Sequence, residues 1–335
     1  MRKTVLLLFL LVNTMVLWGQ KEADSTFIKT YSEELQILPS IRYIRSQISI
    51  NANQNTSLEF LQGATVFGTR IQFDKWGVGL SVPTKLGSSK TNSSSFGIQL
   101  QLFPKSLMIN AGATRMKGFE KVDLINNHLD GFNASSQDIR LLHLYLNPIY
   151  AFSKDEYSLR AALQGTERQL QSKGSFLASL RVEYLHLKTN QSVVEESQLN
   201  NAFTDYTFRQ NGLEGGYAYT QVVADHLIFS AIWLGGIAHT KTRYQQNQTK
   251  FHFNKWQINP LSNLTLSAGY QSDRYVSSLQ LNYQKRSLRS GDVQMESDGL
   301  SIQIVLGIRL HNPKLKSTIN RTAKSFAQQF FPAKH

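Results

Sequence analysis

The sequence contains no cysteine. No disulfide staples the fold, no thiolate ligates a metal or attacks a substrate, and no acylated N-terminal cysteine makes the chain a lipoprotein. The body of the chain also lacks long apolar runs. None approaches the ~20 residues that a spanning helix needs, so a helical membrane protein is excluded. Acidic residues are missing from 311–335, where Lys314, Lys316, Arg321, Lys324 and Lys334 stand. A large share of the formal net charge of +13 therefore sits in a basic tail. For an exported chain that tail points to anionic lipid head groups and away from nucleic acid.

Export is expected from the first residues. Arg2 and Lys3 precede an apolar run from Val5 to Leu11 that resumes as far as Trp18, and small Gly19 follows. This is the layout of a cleaved signal peptide over 1–19.

Chemistry-bearing motifs are sparse. The 8 histidines are His128, His143, His186, His226, His239, His252, His311 and His335. No two have the i, i+4 spacing of a metal-binding helix, and no H-x-H lies on a strand. No phosphate-cradling glycine loop occurs. Gly77-Val78-Gly79 sits inside a strand-like run, where small residues leave space on one face. Asp225-His226 reads as a surface pair in a turn. Ser179 and His186 fall on opposite faces of one strand. No catalytic residue, metal ligand or cofactor site is assigned, and a non-enzymatic protein is expected.

What the sequence has in quantity is alternation. In GLSIQIVLGIRLHNPK, Leu300, Ile302, Ile304, Leu306, Ile308 and Leu310 share one face. Ser301, Gln303, Val305, Gly307 and Arg309 share the other, because successive strand side chains point to opposite sides. The pattern returns at Thr65–Phe73, Trp76–Val82, Phe96–Leu102, Leu107–Thr114, Phe176–Tyr184, Leu264–Tyr270 and Tyr275–Tyr283. Many runs are ~9–11 residues, the length a tilted strand needs to cross a bilayer. Trp76, Tyr150, Tyr184, Trp233, Tyr270 and Tyr283 stand near run ends, as in an aromatic girdle. The polar faces are built from Gly, Ser, Gln, Asn and Thr rather than Lys and Glu, which fits a hydrated lumen.

The fold expected is all-β: an antiparallel transmembrane β-barrel of the outer-membrane type, with about twelve strands in a range of ten to fourteen. Residues 20–39 form a periplasmic lead-in and 40–311 the barrel. Residues 312–335 form a short amphipathic helical tail with Leu315, Ile319, Phe326, Phe330 and Phe331 on one side. Short turns at Asp74-Lys75, Pro104-Lys105, Ser153–Glu156 and Ala224-Asp225 alternate with long loops at Lys117–Gln137, Lys188–Asn211, Lys241–Asn259 and Arg286–Asp298. The alternation breaks its parity between Thr166 and Asn211. Arg181, Glu183, Gln303 and Arg309 are expected in the lumen, with Arg181 and Glu183 tuning ion selectivity, gripping a plug or forming a structural ion pair. The polar stretch ERQLQSKGS either folds inward as a constriction or hangs as a plain loop.

Three stretches carry a resemblance. YSLRAALQGTERQLQSKGSFLASL, Tyr157–Leu180, is similar to the most recognisable segment of an uncharacterised Bacteroidetes family, domain of unknown function forty-four twenty-one. Its S-x-R/K-A-A strand falls on Ser158–Ala162, its E-x-Q on Glu167–Gln169, and its following turn on Ser172, Gly174 and Ser175 through Leu177. GGYAYTQVVADHLIFSAIWLGG, Gly215–Gly236, resembles a family strand pair that includes Tyr217 and Tyr219, with Gln221 departing from the usual aromatic. DSTFIKTYSEELQI, Asp24–Ile37, resembles the family lead-in. The resemblance implies an outer-membrane barrel and no activity. The roles of its motif positions are open.

Expected partners are outer-membrane lipid, the barrel-assembly machinery for insertion, and small solutes in the lumen. Three functions remain open. One is a non-enzymatic outer-membrane barrel serving as a small channel or as a structural or binding barrel. The others are a lipid- or glycan-modifying outer-membrane enzyme and a soluble periplasmic β-protein binding an apolar ligand.

Overall fold

In a computed structural model of the chain, the structure describes residues 26–31, 34–53, 56–84, 94–104, 106–118, 121–125, 139–153, 155–188, 203–246, 249–253, 258–290 and 293–311. The expected signal peptide over 1–19 and the helical tail over 312–335 lie outside the described residues.

The strands in chain order are β1 (Ile28–Lys29), β2 (Glu34–Asn53), β3 (Thr56–Phe73), β4 (Trp76–Pro83), β5 (Ser94–Leu102), β6 (Leu107–Lys117), β7 (Lys121–Ile125), β8 (Arg140–Ala151), β9 (Arg168–Gln169), β10 (Lys173–Lys188), β11 (Phe203–Ala224), β12 (Leu227–Gln246), β13 (Thr249–Phe253), β14 (Ile258–Gln271), β15 (Tyr275–Ser290) and β16 (Val293–His311). A short helix, α1, spans Leu159–Gln164. Twelve strands pair in sequence order around a ring, and β16 closes it on β2 through pairs such as Gln303↔Arg42. Every pairing is antiparallel, so no backbone edge faces the surroundings within the ring. β7 and β13 extend β3 and β12 beyond the ring, and β1 pairs with β9 as a separate two-stranded ribbon.

Alternation is realised as an apolar outside. On β16, Leu306 is 60% exposed while its neighbour Val305 is 1% exposed. Ile41, Phe67, Ile71, Val78, Leu80, Ile98, Leu100, Leu266, Leu279, Ile302 and Ile304 are likewise exposed on the outer face. Water does not stabilise such a belt, and lipid does. The outward faces therefore disfavour a soluble β-protein. Trp76, Tyr150, Phe152, Phe176, Tyr270 and Tyr275 ring the belt at one end.

That end carries the tight connections: 74–75, 103–106, 225–226 and 272–274. It also carries the beginning of β2 and the end of β16. In outer-membrane barrels the short turns face the periplasm and the longer loops face outward. Asp74 takes a left-handed conformation (φ 47°), which a short polar side chain tolerates in a two-residue turn.

Three expectations are corrected here. Ser158–Ala162 is not a strand: Ser158 caps α1, whose residues run to Gln164. Counting it as a strand is what broke the parity between Thr166 and Asn211. The strands also run further than their apolar faces. β11 begins at Phe203, β12 reaches Gln246, and β15 and β16 pair as far as Ser290↔Val293. Much of what reads as polar loop is thus strand beyond the apolar belt. Finally, β2 begins at Glu34, inside the expected lead-in over 20–39.

Candidate functional site

The connection between β8 and β10 is the exception among the tight turns. It folds into the lumen as a plug. Ser158 starts α1: its Oγ accepts from Ala161 N at 3.0 Å. Gly165 ends the helix in the left-handed conformation (φ 67°). A Cβ there would stand 2.5 Å from Val276 Cγ1, so both backbone and space select glycine.

A helix of this length leaves its last carbonyls without intrahelical partners. The barrel wall supplies them. Gln271 Nε2 donates to Ala161 O and Ser267 Oγ to Ala162 O, each at 2.8 Å. Gln280 donates to Leu163 O, Arg309 to Gly165 O, and Gln36 to Thr166 O at 3.1 Å. From the turn after β3, Asp74 O accepts from Arg160. The wall thus grips the plug from β2, β14, β15 and β16.

The opposite side of the plug is apolar. Tyr157, Leu159 and Ala162 pack with Phe103, Met108, Ile149, Leu177, Ala218, Ile232 and Leu234 in one buried cluster. Met108, Ile149, Leu177, Ile232 and Leu234 point inward, against the polar-in rule of a barrel. Each fully buried side chain of this size contributes roughly 1.5–3 kcal/mol. Inside the plug, Arg160 pairs with Glu167 at 2.9 Å, and Glu167 also accepts from Ser158 Oγ.

The lead-in latches the plug from outside. β1 pairs with β9 as Ile28↔Gln169 and Lys29↔Arg168. Gln169 Nε2 donates to Glu156 O at 2.6 Å and Phe27 O at 3.2 Å, and its Oε1 accepts from Ser158 N at 3.0 Å. Asp273 in the β14–β15 turn accepts from Lys29 Nζ at 2.8 Å and Tyr31 Oη at 2.9 Å. Those bonds hold the Asp273 carboxyl below its usual range. Burial, with the Asp273 hydrogen bond, pushes the Tyr31 hydroxyl up to about 12. The Arg309 guanidinium lies 3.9 Å from the Tyr31 ring centroid.

Above the plug is a polar cavity of about 420 Å³, floored by Leu163 and Gln164. One side of it is a closed ion network. Arg181 binds Glu214 through Nε at 3.0 Å and Nη2 at 2.9 Å, and reaches Glu183 at 3.2 Å. Glu183 is held in turn by Arg286 at 3.0 Å, and His143 lies 3.6 Å away. The rest of the wall carries Arg42, Arg70, Gln99, Gln101, Asn110 and Gln303, with Tyr145 directly opposite Glu183 in the β8–β10 pair. Gly79 leaves room there between Gln99 and Arg70.

A family model described as Domain of unknown function (DUF4421) matches residues 22–309. The chain belongs to the DUF4421 family. No curated protein matches the sequence. Among solved structures, the DUF4421 chain is similar to the outer membrane protease OmpT from Escherichia coli at 8% identity and a TM-score of 0.43, over 87% of this chain and 100% of that one. It is also similar to the COG4313 outer membrane channel from Pseudomonas putida F1 (12%, TM-score 0.37, 85% and 100%). A third is the translocator domain of the autotransporter NalP from Neisseria meningitidis (9%, TM-score 0.35, 90% and 97%). These likenesses are of fold alone.

The motif positions of this DUF4421 chain now have places. Glu167 and Gln169 hold the plug together, and Ser172 Oγ accepts from Val222 N at 2.9 Å where the chain returns to the wall. Ser175 Oγ accepts from Ser153 N at 3.0 Å where the chain leaves it. Gly174 lies under the Tyr217 ring, whose Oη a Cβ would meet at 2.1 Å. Tyr217 and Tyr219 face outward in the aromatic band. Arg181, Glu183 and Gln303 line the cavity as expected, with Arg181 and Glu183 in one network. Arg309, also expected in the lumen, grips the plug. Gln36, Ser267, Gln271 and Gln280, the other wall donors, are not among the expected lumen residues. The apolar residues at inward positions were their readable counterpart, since a water-filled lumen has no use for Leu177, Ile232 and Leu234.

Among the described residues, the histidines stay apart. His186 meets Asp205 at 3.0 Å on the outer face, and His226 sits beside Arg168 and Gln271 O in the mouth. Ser179 faces the lumen, bonded to Asn147 and Glu214.

Proposed function

We propose that the chain is a non-enzymatic outer-membrane barrel that works as a blind binding vestibule. Its periplasmic mouth is shut by the 153–172 plug, and its polar cavity faces the exterior. The plug carries the reading: the carbonyls of Ala161, Ala162, Leu163, Gly165 and Thr166 each accept from a wall donor, and its apolar side completes a buried cluster, so closure is the resting state rather than an accident of a loose loop. The chain reaches the membrane after removal of residues 1–19 and insertion by the barrel-assembly machinery, and outer-membrane lipid covers the apolar belt. Small solutes enter the vestibule and do not cross it while the plug is seated.

The test is conductance in planar bilayers, on protein whose folding is confirmed by heat-modifiable gel migration. The intact chain is expected to insert without steady conductance. A variant with residues 157–171 replaced by a short Gly-Ser turn is expected to give discrete open steps. Steady conductance from the intact chain would make it a channel and overturn the blind vestibule. Substitution of His143, His186 or His226 is expected to leave no enzymatic phenotype on lipid or glycan substrates; abolished hydrolysis would restore the enzyme reading.

A further inference from the structure

The lumen is charged unevenly. Arg181 and Arg286 are matched by Glu183 and Glu214. Arg42 on β2 and Arg70 on β3 have no carboxylate partner among the described residues, and they lie within electrostatic reach of each other. Two like charges brought together inside a low-dielectric wall repel, and that cost is accepted where something else answers them.

Both heads face the same cavity. Among the described residues, Arg70 makes one side-chain hydrogen bond, from Nη1 to Gln101 Oε1 at 3.2 Å, and its Nε and that of Arg42 are buried with no hydrogen-bond partner. The surroundings add donors. Gln303 stands directly across the strand pair from Arg42. Tyr145 stands between the two halves of the lumen, within reach of the Arg42 charge and directly across its strand pair from Glu183, whose own charge is held by Arg181 and Arg286. Asn110 Oδ1 is already occupied by Gln99 at 2.7 Å and Gln101 at 3.1 Å, which leaves its amide NH₂ for something else.

We infer that Arg42 and Arg70, with Gln303, Tyr145 and Asn110, form a binding site for a small oxyanion, a carboxylate or a phosphate group. Planar guanidinium forks match both groups with paired hydrogen bonds, which ammonium groups cannot do. The cavity of about 420 Å³ that both arginines line has room for an anion of a few heavy atoms. The site deepens the vestibule reading by naming what the vestibule holds, yet its geometry does not depend on whether the plug moves.

The experiment is calorimetric titration of the full mature chain, folded in detergent micelles, with inorganic phosphate and separately with succinate, against chloride at equal ionic strength. Saturable binding of at least one oxyanion is expected, with none for chloride. Phosphate alone or succinate alone identifies which head group the site takes. Arg42→Gln and Arg70→Gln are each expected to weaken binding by about tenfold, the effect of losing one charge-assisted contact. Removing a member of a like-charged pair does not threaten folding, and gel migration verifies it. The control Arg45→Gln/Arg115→Gln, which removes one charge more than either lumen variant but from the exposed outer face, is expected to bind as the unmodified chain does. Absence of saturable binding, full binding by the lumen variants, or equal loss in the control would overturn the site. A conducting barrel that still binds would overturn the closed mouth and leave the site standing. A silent barrel that binds nothing would do the reverse.

Discussion

Glu214 is fully buried and answers Arg181 with both carboxylate oxygens, at 2.9 and 3.0 Å. Glu214→Gln would leave the Arg181 charge with Glu183 alone, which Arg286 already holds. Breaking a buried pair from one side costs about 3–5 kcal/mol, while replacing both partners by apolar residues of similar volume is close to neutral. Urea unfolding in micelles is expected to show a large loss for Glu214→Gln and recovery for Arg181→Met/Glu214→Met. Equal losses in both would mean that the network contributes packing rather than charge balance. At Gly165 the constraint is backbone as well as space, because φ is 67° and a Cβ would collide with Val276. Gly165→Ala is expected to cost more than about 1 kcal/mol and to loosen the plug before the barrel. Faster protease cleavage within 153–172, with unchanged heat-modifiable migration, checks that order.

Among the elements, the strands were legible, while the plug was legible only as one of two alternatives for ERQLQSKGS, for one physical reason. A strand in lipid repeats a two-residue rule along its whole belt, so β16 and β4 announce themselves by Leu300–Leu310 and Trp76–Val82. The plug obeys no period. α1 is too short for a helical stripe, and its partners are wall glutamines far away in sequence, such as Gln280 against Leu163 and Gln36 against Thr166. Of the site, Arg181, Glu183, Gln303 and Arg309 could be placed on the inner face by parity, yet parity says nothing about which of them meets a plug. The latch makes a pH prediction at this scale. Asp273, whose carboxyl is lowered, contributes stability above the ordinary carboxylate range, and that contribution is lost as pH falls below about 4. Tyr31, raised to about 12, contributes below its ordinary value of 10.0, and that contribution is lost as pH rises through about 12. With the Asp273 side chain 63% exposed, the ion pair itself is worth no more than about 1 kcal/mol. Asp273→Asn is therefore expected to lower Tm slightly at neutral pH and to flatten the acid limb of the Tm profile. It is also expected to hasten trypsin cleavage after Lys29. An unchanged acid limb would assign the acid sensitivity to other carboxyls.

Taken as a whole, the molecule places lipid outside, a polar cavity within and a plug below it. The outer claim predicts an asymmetry between neighbours on β16. Leu306→Arg, in the apolar belt, is expected to cost about 2–4 kcal/mol in lipid-bilayer unfolding, whereas Gln303→Glu on the cavity side, opposite Arg42, is tolerated. Equal costs would mean that the outer face is not lipid-covered. The inner claim is tested most directly by a thiol, for which the cysteine-free chain is a ready background. Leu163→Cys places that thiol on the plug, at the cavity floor. In folded protein it is predicted to resist a bulky PEG-maleimide that labels Asp225→Cys in an exposed turn at once, and to react fully after unfolding. Labelling of folded Leu163→Cys as fast as the turn control would put the connection outside the barrel and contradict the closed mouth.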